Sequence, residues 1–92
     1  MDAATEKWRR AVDAIIAYNN SVESPELRWY INPAVIVDLV GGKPSIIASY
    51  LKTRPDVEAH HKQYDLKVGY NRRAVNIKER VTVPETVEPE AQ

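Results

Sequence analysis

The sequence contains no cysteine. Disulfides, thiolate zinc sites and thiol catalysis are therefore excluded, and stability has to come from packing. No apolar run approaches the roughly 18 residues needed to cross a bilayer. The opening stretch MDAATEKWRR also lacks the apolar centre of a signal peptide, so a cytoplasmic location without membrane contact is expected. Neither a glycine-rich phosphate loop nor a serine-triad signature is present, and no cofactor is implied. With 92 residues the chain suits one small domain and no large substrate pocket. Residues 1–83 are expected to form that domain. Residues 84–92, with two prolines, three glutamates and no large aliphatic residue except Val87, are expected to be a disordered acidic tail.

Net charge is lacking too: thirteen Lys and Arg balance thirteen Asp and Glu. That balance hides a segregation. Residues 1–42 carry four bases against six acids, residues 43–80 nine bases against four acids, and the last twelve residues only three acids. The positive charge is thus confined to the middle of the chain, where it can form a local field despite a neutral total.

Four stretches read as helix. Trp8, Ala11, Val12, Ile15 and Tyr18 or Asn19 recur at spacings of three and four, which predicts a helix over 4–21 capped by Asp2 or Thr5. LRWYIN, residues 27–32, is either a brief strand or an extended lead-in that pins Trp29 and Ile31 into the core. Asn32-Pro33 then opens a second helix reaching Val40, with Asn32 as its cap and Pro33 at the first helical position. Gly41-Gly42-Lys43-Pro44 interrupts it. Gly41 supplies the backbone conformation that ends a helix, and Pro44 restarts one running from Ser45 to about Thr53. A further helix is expected over 56–64, separate or continuous through a kink at Pro55. Alternation at Ala74-Val75-Asn76-Ile77-Lys78 and Val81-Thr82-Val83 suggests a strand or wing.

Two short helices joined by a three- to four-residue glycine turn form the pattern of a helix-turn-helix. Ile36, Val37 and Val40 would face Ile47, Tyr50 and Leu51, leaving Lys43, Ser45, Ala48, Ser49 and Lys52 outward. Small hydroxyls and ammonium groups suit a helix that enters a major groove about 12 Å wide. Two positions depart from the common pattern: Val37 stands where the crossing residue is usually alanine, and Gly42 where an aliphatic residue is usual. The competing reading is an ordinary helical hairpin with a solvated basic surface.

Arg54, His61, Lys62, Arg72 and Arg73 follow the second helix directly and are expected on phosphate. His60 and His61 are adjacent and so point about 100° apart on a helix, which disfavours one shared ion even with Glu58 and Asp65 nearby. Five tyrosines invite comparison with a tyrosine recombinase. Its cluster of Arg, Lys and His around the nucleophile is too large for this chain, so no enzymatic activity is expected.

INPAVIVDLVGGKPSIIASYLK resembles the N-terminal DNA-binding region of KfrA-type plasmid proteins, where a similar apolar run, a glycine turn and an [ST]-x-I-x-x-Y-L helix make a winged helix-turn-helix. DVEAHHKQYDLKVGYNRR is similar in style to basic segments of recombinase and telomere-resolvase-like proteins of mobile elements. The resemblance implies sequence-specific binding of double-stranded DNA, often as a homodimer, in plasmid maintenance or transcription regulation. The long coiled coil of the KfrA type is not seen here. The resulting expectation is a mainly α, winged helix-turn-helix protein that binds DNA through Lys43, Ser45, Ser49, Lys52, Arg54, His61, Lys62, Arg72 and Arg73, with the N-terminal helix as the dimer contact. The rival is a protein-interaction module, such as an antitoxin, accessory subunit or inhibitor, presenting Trp29, Tyr30 and Tyr50 to a protein partner.

Overall fold

A computed structural model of the protein describes residues 2–73 and 75–84. Among these the fold is mainly helical: α1 (Ala3–Ser21), α2 (Pro33–Val40), α3 (Pro44–Leu51) and α4 (Pro55–Tyr64), with 3₁₀ turns at Pro25–Leu27, Val68–Asn71 and Ile77–Glu79 and no strand. The acidic tail lies outside the described residues from 85 onward. No single described helix is long and apolar enough to cross a membrane.

Local chemistry accounts for the helix boundaries. Asp2 caps α1 by accepting the Thr5 N–H at 2.8 Å, and Asn32 caps α2 by accepting the Val35 N–H at 3.2 Å. The three short helices α2, α3 and α4 each open on a proline, where the missing N–H has no intrahelical partner to lose. α3 closes two residues earlier than its sequence suggests. The Thr53 and Arg54 amides bond back three residues, to Tyr50 and Leu51, and tighten the chain before Pro55. α4 is a separate helix ended by Asp65 in the left-handed conformation (φ 53°), one of the few non-glycine residues that tolerate it.

The core is built around α2, which packs on α1, α3 and the turn at Ile77–Glu79. Trp8, Ala11, Val12 and Ile15 from α1 meet Val35 and Ile36 from α2, Ile47 from α3 and Val57 from α4. The extended lead-in 28–32 drives Trp29 and Ile31 inward, each left 2% exposed.

The strand or wing expected over 74–83 is not formed among the described residues. The Asn76 side chain accepts the Lys78 N–H and starts a 3₁₀ turn, which sends Ile77 and Val81 into the core. The alternating apolar residues are anchors against α2. No neighbouring strand is present among the described residues to complete a ladder.

Candidate nucleic-acid interface

The α2–α3 turn is held by a tryptophan on α1. The Trp8 indole N–H donates to the Gly41 carbonyl at 3.3 Å. Gly41 has φ 80° and ψ −177°, a region that side chains other than hydrogen avoid. Gly42 has φ 122°, and a Cβ there would lie 2.7 Å from Trp8 Nε1 and 3.0 Å from Ile47 Cδ1. The first glycine is required by backbone conformation; the second by conformation and by close approach. Across this turn the chain bends by 116°, within the 90–120° range of paired reader helices.

Ile47 is fully buried, and Tyr50 lies half-buried with its ring centroid 6.2 Å from that of Trp8. This seating fixes the rotation of α3 about its axis and sends Lys43, Ser45, Ile46, Ser49 and Lys52 to the exposed side. Positions 45, 49 and 52 follow one stripe of the helix, with 46 beside it. The Lys43 and Lys52 ammonium groups have no polar partner among the described residues, and the Ser49 hydroxyl only weakly donates to its own helix, 3.4 Å from the Ser45 carbonyl. α3 begins without a side-chain cap, unlike α1 and α2.

The remaining basic residues separate into two groups. Arg54 is tied down: its guanidinium donates to both Asp56 oxygens at 2.9 and 2.7 Å, to Asp13 of α1 at 2.9 Å and to the Tyr50 hydroxyl at 2.9 Å. Its pKa is raised, mainly by the bond to Asp56, and Asp56 is correspondingly held below the usual carboxylate range. Arg73 is also occupied. It donates to the Leu27, Arg28 and Tyr70 carbonyls and covers the Trp29 ring at 4.0 Å, and burial lowers its pKa. Both act as internal struts, with most of their N–H groups engaged within the fold. Lys62 and Arg72 remain exposed and without polar partners among the described residues. Lys52 and Lys62 flank one open cleft of about 610 Å³, which Glu58 and Asp65 also line, so that cleft is not uniformly positive.

His61 is likewise an internal group. Its Nε2 accepts the Ile31 N–H at 2.9 Å while its ring stacks on Tyr30, centroids 4.0 Å apart. Next to it, His60 is 5% exposed, sits edge-on to Tyr64 and faces the Asn19 side-chain amide at 3.0 Å. Asn19 is fully buried and bonds Trp29 through both ends of its side chain, with Oδ1 accepting the Trp29 N–H and Nδ2 donating to the Trp29 carbonyl. His60 Nε2 is therefore an acceptor too, and both imidazoles carry their proton on Nδ1. Burial lowers the pKa of each, reinforced by Arg28 at His60 and by His60 at His61. The two rings have different partners, and no group of three metal-binding side chains occurs among the described residues.

The aromatic face expected for a protein partner is also spent internally: Trp29 is buried, Tyr30 is stacked and the Tyr50 hydroxyl is bonded to Arg54. Asn19 falls in the inward series of the first helix as the alternative to Tyr18, but its pairing with Trp29 and His60 gives no signal in the sequence. One residue, Ile46, was missed at the sequence level. Ile46 was detectable, since the register that buries Ile47 leaves its neighbour outside.

No protein-family model matches this chain, and neither a curated protein nor a solved structure is found similar to it.

Proposed function

We propose that this protein is a non-catalytic reader of double-stranded DNA, with α2 and α3 acting as a helix-turn-helix and α3 entering the major groove. The observation that carries this reading is the division of α3 itself. One face is locked into α1 and α2 through Ile47, Tyr50 and the glycine turn; the other presents Lys43, Ser45, Ser49 and Lys52 exposed, with no hydrogen bond from their side chains to another element among the described residues. Hydroxyls and ammonium groups on a rigidly seated helix supply both phosphate contacts and hydrogen bonds to base edges. The 116° bend and the three-residue turn agree with the arrangement of reader-helix pairs. Lys62 and Arg72 supply further phosphate contacts, whereas Arg54, His61 and Arg73 keep α4 and the 27–31 lead-in in place. The KfrA-type likeness of residues 31–52 belongs to this same proposal, as does a role in plasmid maintenance or transcription regulation, with a wing not required.

The test is a fluorescence-anisotropy titration of the full chain against a random-sequence duplex at two salt concentrations, beside the double variant Lys43→Ala, Lys52→Ala. Each lost phosphate contact removes roughly 0.9 from the log–log salt slope, so the double variant should be shallower by about 1.8. Absence of binding at low salt would end the proposal. A protein partner would then be sought by pull-down.

A further inference from the structure

Ile46 stands out on α3. It is a large aliphatic side chain in the first turn of the helix, 52% exposed. Exposed aliphatic residues are ordinary when scattered, but this one is surrounded by polar groups: Ser45 before it, Ser49 one turn on, and Lys43 at the helix start. Its β-branched side chain also contributes less to helix formation than a straight-chain residue would. It stands outside the hydrophobic core of the described residues, where the contact of this turn is made by its neighbour Ile47, which is fully buried.

Resting on the reading of α3 as a DNA reader, we infer that Ile46 selects thymine by packing against its 5-methyl group in the major groove. The first turn of a reader helix is the part that meets base edges. Among the four bases only thymine presents a methyl group there, and an apolar side chain is its natural partner. Lys43 and Lys52, at opposite ends of α3, would hold the phosphates that keep the helix at this depth. Ser45 and Ser49 are left to bond the base edges beside the methyl group. The recognised site therefore carries an A·T pair at the position under Ile46, and the neighbouring pairs are read by hydrogen bonds.

The test starts from selection of bound sequences out of a random duplex pool by the full-length wild type, followed by titration of the winning duplex. Each selected thymine is replaced in turn by deoxyuridine, which lacks only the methyl group, and the wild type is compared with Ile46→Ala and Ile46→Val. One deoxyuridine position should weaken wild-type binding about fourfold, the change that burial of one methyl group carries. Ile46→Ala should bind the two duplexes equally, and Ile46→Val should fall between. Wild-type indifference to deoxyuridine, discrimination that persists in Ile46→Ala, or a selection without any preferred base would each overturn the assignment while salt-sensitive binding leaves the DNA reading standing. Loss of all salt-sensitive binding would instead sink both.

Discussion

The two joints of this fold are built from different materials. Between α2 and α3 the contact is mainly apolar and depends on shape: Ile36, Ile47 and the glycine turn pressed on Trp8, with the single indole bond to the Gly41 carbonyl. Between α4 and the body only Val57 reaches the main core, and the rest is polar or aromatic, with His60 on Asn19, His61 on the Ile31 amide, Tyr64 on Asn20 and Arg54 on Asp13. The first joint orients the proposed reader helix and contains no group that titrates near neutrality. The second contains imidazoles and ion pairs, and is expected to respond to pH and salt. An apolar joint keeps its geometry across conditions, and a polar joint can be loosened without disturbing it.

The sharpest way to break the first joint is Gly42→Ala. It adds a Cβ 2.7 Å from Trp8 Nε1 at a backbone φ of 122°, combining conformational strain with overpacking for an expected loss of about 4 kcal/mol. Gly41→Ala meets no atom within 4 Å and should cost only the backbone strain, about 2 kcal/mol. Urea denaturation of both variants checks the order, and equal losses would show that close approach to Trp8 contributes nothing.

Asn19→Ala attacks the second joint. It leaves the Trp29 N–H and carbonyl and His60 Nε2 without partners in a fully buried position. An unsatisfied buried group costs about 1–3 kcal/mol, and three are left here, so a loss of at least about 3 kcal/mol is expected. Hydrogen exchange should place the opening at α4 and 28–31 and leave α2 and α3 protected. Uniform loss of protection would mean that the joints are not separable.

A milder probe of the same joint is acid. Folding lowers the pKa of both histidines from the ordinary 6.5, chiefly by burial. The unfolded chain therefore takes up protons more readily than the folded one as pH falls. Stability from this pair is complete above about 6.5 and declines as pH drops through the lower folded values; Arg28 opposes and Asp56 favours protonation of His60, while His60 opposes and Glu58 favours protonation of His61. Two hydrogen bonds are at stake, about 1–2 kcal/mol. His60→Gln keeps an acceptor for Asn19 and removes one titration, so its stability between pH 7 and 5 should fall less than that of the wild type. An unchanged profile would remove His60 from the device.

Much of this architecture was legible in residue order because its signals are local. Asn32 with Pro33, the glycine pair with Pro44, and Pro55 punctuate the helices through backbone preferences that need no partner. The inward positions of α3, Ile47, Tyr50 and Leu51, followed from aligning Gly41 with the turn glycine of a helix-turn-helix. What could not be read was pairing over distance: Arg73 reaches the Leu27 carbonyl 46 positions away, and Arg54 reaches Asp13 41 positions away. A run of bases reveals sign without showing which members are already neutralised. The expected wing failed for a related reason, since alternation cannot tell a strand from a 3₁₀ turn that drops Ile77 and Val81 into the core.

The finest prediction separates two cations only two residues apart. Lys52 is exposed and has no polar partner among the described residues, so Lys52→Ala should leave stability within about 0.5 kcal/mol and shallow the salt slope of DNA binding by roughly 0.9. Arg54 joins α3's last turn to α1 and α4 through Tyr50, Asp13 and Asp56. Its carboxylate partners are about half exposed, at 48% and 53%, so solvent screening limits the expected cost of Arg54→Ala to about 1 kcal/mol. The salt slope should stay put, because that guanidinium is spent within the fold. Thermal melts and two-salt titrations of both variants measure the four quantities. If Arg54→Ala shallows the slope as much as Lys52→Ala does, the strut opens when DNA arrives, and the polar joint then takes part in binding.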